Sequence, residues 1–197
     1  MMKKNTKITI GVILAILILI FWYVGIYNSL ISLEETVSEK WAQVENQYQR
    51  RADLIPNLIN TVTGARDFEA NTQADIARLR TQANQIKQDV AKGNLNPSQL
   101  NQIDSRMGSV LSGLNIVVEA YPNLKATENF LALQSQLEGT ENRISVERKR
   151  YNEAVKKFNI KIKRIPSKWV AANLGYTEDK EFFEIEEGTE EVPVVEF

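Results

Sequence analysis

The sequence predicts an all-α protein: a single N-terminal transmembrane helix continuing into an antiparallel up-down four-helix bundle with long helices 1 and 4, then an extended acidic C-terminal tail. Three observations predict it. Residues 8–33 carry no charged side chain, apolar residues downstream recur at heptad spacing, and the strong helix breakers cluster at residues 93–97, 122 and 166. The segments are a basic start and membrane anchor at 1–27, a helical domain at 28–165 and a tail at 166–197.

The anchor follows Lys3, Lys4 and Lys7 and runs from Ile8 to Tyr27, closing on Phe21, Trp22, Tyr23 and Tyr27. At 1.5 Å rise, roughly 20 helical residues cross a hydrocarbon core of about 30 Å, and aromatic residues suit its edge. A cleaved signal peptide also has a basic start, but its apolar part is shorter and ends at a small-residue site. Neither an Ala-x-Ala site nor a lipobox cysteine follows, which favours a retained, single-pass anchor. Basic flanks remain on the cytoplasmic side, and Glu34, Glu35 and Glu39 outnumber Lys40 beyond the run. The N-terminus is therefore expected in the cytoplasm and the helical domain outside.

From Leu30, apolar side chains fall at Val37, Trp41, Val44, Tyr48, Ile55, Leu58 and Val62, the spacing of a helix packed in a left-handed bundle. Helix 1 of the bundle is expected over 28–63, kinked rather than broken at Pro56. Gly64-Ala65-Arg66-Asp67 reads as a turn, with a continuous bent helix as the alternative. Helix 2 covers 70–92, with Ile76, Leu79, Ala83, Ile86 and Val90 on one face. Gly93 to Pro97 stops it, and Asn96 caps helix 3 with Pro97 at the first turn. Helix 3 carries Leu100, Ile103, Met107, Val110, Leu114, Val117 and Tyr121, with Gly108 and Gly113 as candidates for close helix approach. Tyr121-Pro122-Asn123 is either a turn or a helix start. Helix 4 runs from 124 to about 165 on Phe130, Leu133, Leu137, Ile144, Tyr151, Ala154, Phe158, Ile162 and Ile165, with Thr140 and Glu147 in intermediate core slots.

These lengths are about 54 and 60 Å for helices 1 and 4 but only about 30 to 35 Å for helices 2 and 3. Helices 1 and 4 are thus expected to form a two-helix stalk near the membrane, with Trp41 level with Lys149. Glu34, Glu35, Glu39 and Glu45 would then face Arg148, Lys149, Arg150, Lys156 and Lys157, and Arg51 would meet Glu138, Glu141 and Asn142.

Composition bounds the chemistry. Histidine and cysteine are both absent from the 197 residues, which removes thiol nucleophiles, imidazole bases, disulfides and the usual zinc ligands. A net charge of -1 argues against a nucleic-acid partner, which demands many cations. No cofactor is expected.

Several blocks resemble the LemA family of small membrane-anchored bacterial proteins. They are Arg51 with Asp53-Leu54-Ile55-Pro56-Asn57-Leu58, Phe68-Glu69, Tyr121-Pro122-Asn123-Leu124-Lys125, the stretch from Leu137 to Ile144, Arg148 with Tyr151-Asn152, Asn159, Phe182-Phe183 and the ending Pro193-Val194-Val195-Glu196-Phe197. Asp67 departs from the aromatic-rich turn with histidine that is commoner in the family. The resemblance implies an antiparallel helical bundle behind one inner-membrane helix, with no established enzymatic activity. It also implies a role in envelope maintenance, because similar genes often neighbour a membrane zinc metalloprotease of the heat-shock type or a TPM-domain protein, which become candidate partners.

The candidate site residues follow from both readings. Arg51, Asp53, Asn57, Glu138, Glu141, Asn142 and Arg148 are expected to form a structural polar network that fixes helix register. A carboxylate metal cluster is the alternative, but bundle di-iron sites use Glu-x-x-His pairs. Trp41, Val44 and Tyr48 are candidate oligomer contacts on a thinly covered stalk, and Lys161, Lys163, Arg164 and Lys168 are candidate contacts to bilayer lipid. The expected function is a non-enzymatic scaffold or adaptor that forms homo-oligomers; a lipid-binding, membrane-shaping protein is the alternative.

Overall fold

The computed structural model describes residues 4–64, 69–122 and 127–183. Their helices are α1 (Lys4–Thr63), α2 (Ala70–Ala91), α3 (Pro97–Glu119), α4 (Glu128–Lys163) and α5 (Ser167–Asn173), with no strand among the described residues. The expectations for Ala65 to Phe68, for Asn123 to Lys125 and for the tail from residue 184 fall outside the described residues.

The expected anchor and the first bundle helix are one element, because α1 passes from the uncharged run to Thr63 with Pro56 inside it. Among the described residues it is the one helix long and apolar enough to cross a membrane, and its Ile and Leu side chains from Ile8 to Ile20 are about half exposed. Gly64 turns out of it, its N–H donating to the Asn60 carbonyl at 3.3 Å.

The chain forms two compact units. One comprises Met1–Gln43 with Lys149–Lys180, the other Val44–Arg148 with Glu181–Phe197. In the first unit α1 and α4 pack through Leu30, Val37, Tyr151, Val155, Phe158 and Ile162, all buried. Trp41 meets Tyr151 with ring centroids 5.1 Å apart, two residues from the expected partner Lys149.

This pair is not the bare stalk that helix lengths imply, since α5 and the chain after it pack in the same unit. Ser167, Val170 and Ala171 are buried and Leu174 is half-buried, an i, i+3, i+4, i+7 stripe within the supposedly extended tail. Gly175 ends α5 at φ 82°, with its N–H on Ala172 and that of Tyr176 on Ala171, the two bonds of a Schellman motif. Tyr176 then packs edge-on against Phe158 at 5.2 Å. The Asn159 side chain both donates to the Lys180 carbonyl and accepts from its N–H, each at 3.0 Å. Glu34 pairs with Lys180, whose ammonium lies over Phe158 of α4, at 3.1 Å, and Glu39 pairs with its neighbour Lys40, so the ion pairs of these two acids are not with the basic residues of helix 4 that they were expected to face. Ile165, expected in the core, is 68% exposed because α4 ends at Lys163.

In the second unit α2 runs antiparallel to α1, with Lys87 on Asp53 at 3.0 Å and Arg80 on Thr63 at 2.9 Å. It also runs antiparallel to α3, with Arg106 on Asp89 at 2.8 Å and the Tyr121 hydroxyl on Thr72 at 3.4 Å. Arg106 and Lys92 hold the Asp89 carboxyl below its ordinary range. The expected stripe of α2 is buried in full; that of α3 ends on Val118 rather than Val117, as a 3.6-residue period drifts from a strict heptad. Gly113 permits close approach, since a Cβ there would lie 2.9 Å from Leu79, whereas Gly108 faces open space.

Between α2 and α3, Gly93 and Asn94 adopt left-handed φ of 67° and 53°. Asn96 then accepts from the Gln99 N–H at 2.8 Å, and the Gln99 side chain accepts from the Asn96 N–H at 2.9 Å. Removing this capping box with Asn96→Ala is expected to lower stability by about 1 kcal/mol in urea unfolding.

Candidate functional site

A cluster of charged side chains lies within the second unit, where α1 supplies Tyr48 and Arg51, α3 supplies Asp104, and α4 supplies Glu141 and Arg148. Arg51 replaces an apolar residue at a core slot of α1 and is 9% exposed, so its guanidinium needs carboxylates to offset lost hydration. One Arg51 nitrogen lies 2.5 Å from both Asp104 and Glu141. Arg148 reaches the other Asp104 oxygen at 3.0 Å and donates to the Tyr48 hydroxyl. Its guanidinium carbon lies 5.4 Å from the Tyr48 ring centroid and 5.1 Å from that of the buried Phe183. One carboxylate thus joins two guanidiniums, while two aromatic faces flank the second.

Burial pushes the Tyr48 hydroxyl far above its ordinary range and the negative Asp104 adds to this, against the opposing guanidiniums of Arg148 and Arg51. Folded Tyr48 therefore keeps a proton that the unfolded chain loses near pH 10, its ordinary value. Its contribution to stability is complete below about pH 10 and declines as pH rises above it. Tyr48→Phe is expected to flatten the fall in melting temperature above about pH 10; identical slopes in the two proteins would contradict this.

Arginines do not surrender protons in proteins, and a tyrosine held protonated is a poor base, so the cluster offers positioning rather than acid–base chemistry. Among the described residues no group of three acidic side chains is placed to hold a metal ion.

Of the residues expected in the network, Arg51, Glu141 and Arg148 are brought together. The others are not. Asp53 bonds Gln49 at 3.3 Å and Lys87 on α2, Asn57 and Asn142 are exposed, and Glu138 bonds Gln134 at 3.1 Å along its own helix. Asp104, Tyr48 and Phe183 are the members that sequence reasoning missed. The signal for Asp104 is its position directly after the core residue Ile103 on α3, since a buried arginine such as Arg51 requires an acid nearby.

The expected oligomer contacts are also corrected. Val44 and Tyr48 are fully buried inside the chain, and Trp41 is half-buried against Tyr151, so none of them offers a free apolar face. Of the expected lipid contacts, Lys163 pairs with Asp179, while Arg164 and Lys168 are exposed and Lys161 is half-exposed. Lys161 and Arg164 line a groove of about 370 Å³ in the first unit, together with Ser29, Ser32 and Lys157.

Comparison with known proteins gives a consistent picture. The model of the LemA family matches residues 40–197. The chain is 30% identical over 163 residues to Protein LemA of Metamycoplasma hominis, covering 82% of this chain and 71% of that protein. It is 24% identical over 180 residues to Magnetosome protein MamQ 2 of Paramagnetospirillum magneticum and 22% identical over 176 residues to Magnetosome protein MamQ of Magnetospirillum gryphiswaldense. Each of those alignments covers 80% of this chain and 65% of the relative, so the chain spans just under two thirds of the length of the MamQ proteins.

Proposed function

Because this chain belongs to the LemA family and its most conspicuous charges are engaged in joining helices, we propose that it is a non-enzymatic, membrane-anchored helical scaffold that self-associates and serves maintenance of the bacterial envelope. The observation that carries this reading is the continuity of α1, which makes the apolar run and the first helix of the domain a single element. Gathering such spans in a bilayer gathers the domains joined to them.

The antiparallel pairs of α1 with α2 and of α2 with α3 support an up-down four-helix arrangement completed by α4, with an acidic tail beyond it. With Val44 and Tyr48 buried, self-association runs through the exposed apolar flank of residues 8–24. The basic start remains in the cytoplasm and the domain projects from the inner membrane. A membrane metalloprotease or a TPM-domain protein is the proposed client or partner.

Native mass spectrometry of the full chain in mild detergent, paired with pull-down, tests the proposal. Multiples of 22.4 kDa and enrichment of specific membrane proteins are expected; a single 22.4 kDa species without protein partners would contradict it.

A further inference from the structure

We propose that the groove between α1 and α4 in the first unit is a binding site for the phosphate head group of an anionic phospholipid in the bilayer that α1 crosses. Three cations, Lys157, Lys161 and Arg164, line it at i, i+4 and i+7, one face of α4. Like charges at this spacing oppose one another, and among the described residues no carboxylate pairs with any of the three. The neighbouring acids are engaged elsewhere, Glu34 with Lys180 and Asp179 with Lys163. Across the groove, Ser29 and Ser32 lie one helical turn apart on α1 and can donate hydroxyl hydrogens to phosphate oxygens. Ile160, 49% exposed, contributes an apolar wall suited to the glycerol and first acyl carbons.

Position favours a lipid over a soluble anion. Ser29 follows the last aromatic residue of the apolar run, Tyr27, by two positions, so a phosphate seated there lies just past the hydrocarbon edge. The Trp41–Tyr151 contact and antiparallel packing place residues 160–164 beside the start of the domain segment of α1. At the same end α5 presents Trp169, 64% exposed, next to the exposed Lys168, and Ile165 is 68% exposed just before it. A tryptophan and an isoleucine beside cations form an amphipathic surface suited to the bilayer interface. The groove thus differs from the basic run read from sequence: Lys163 drops out because Asp179 neutralises it, while Lys157 and the two serines enter.

The inference rests on residues 8–27 being the membrane span and is independent of self-association. The full chain is released for native mass spectrometry from nanodiscs holding equal phosphatidylglycerol and phosphatidylcholine, and the lipids that remain bound are counted. Retention of phosphatidylglycerol is expected to exceed that of phosphatidylcholine by more than tenfold. Combining Lys157→Gln, Lys161→Gln and Arg164→Gln should abolish the preference, at about fivefold for each cation lost, whereas Lys163→Gln should preserve it. Equal retention by the unaltered protein overturns the site, and so does a preference that survives the triple change. Displacement of the lipid by excess inorganic phosphate would reveal a simple anion site and overturn the lipid assignment. Recovery of the chain in the aqueous fraction after an alkaline wash would overturn the membrane span itself.

Discussion

Replacing Asp104 with Ala is expected to lower the stability of the second unit by about 3 kcal/mol, near the lower end of the range for removing one partner of a buried ion pair. The effect is large because one side chain serves two guanidiniums. Arg51, Asp104 and Arg148 have side-chain exposures of 11%, 20% and 19%, so water can restore only part of the lost interaction. Glu141, at 48%, still pairs with Arg51 but cannot replace Asp104 at Arg148 on the contacts present. Asp53→Ala provides the contrast: its pair with Lys87 is about half exposed on both sides, and its loss should change stability by no more than about 0.5 kcal/mol. Thermal and chemical melts of the two variants in mild detergent separate these outcomes. Equal effects would show that the cluster is solvated.

The second large effect is expected at Phe183. It is 2% exposed, and its ring lies against the Arg148 guanidinium, so Phe183→Ala removes a buried aromatic side chain and one wall around that charge. Large-to-small changes of this type cost about 3 to 5 kcal/mol. Its neighbour Phe182 is 45% exposed, and Phe182→Ala should be close to neutral. Melts of both variants, with limited proteolysis after residue 176, check the claim that the chain beyond α5 includes a core residue. Matching curves would place Phe183 outside the core.

Much of the helical architecture was legible because it follows from periodicity. The buried stripe of α2, the capped start of α3 and the end of α1 at Thr63 come from apolar spacing, an Asn-Pro pair and a glycine, all local signals. The chain after Pro166 was misread because its stripe of Ser167, Val170, Ala171 and Leu174 is short and includes a serine and an alanine, while the acidic residues beyond dominate its composition. Helix lengths alone leave Trp41 and Tyr48 on a thinly covered stalk, whereas Trp41 packs on Tyr151 and Tyr48 is fully buried beside Arg148. In the polar cluster, the need of Arg51 and Arg148 for acids is legible, but choosing Asp104 over Asp53 or Glu138 requires knowing which helix faces which. Spacing along one helix does not contain that information.

Residues 8–63 belong to one helix, in which the candidate membrane span continues directly into the domain. The absence of cysteine allows single nitroxide labels to be placed at successive positions from 22 to 34 without background. In nanodiscs the labels are expected to be restricted, with accessibility to oxygen and to a polar relaxant that oscillates with a 3.6-residue period through the whole stretch. Mobile labels with no period between residues 24 and 32 would contradict it and reduce the apolar run to a membrane address on a flexible leash.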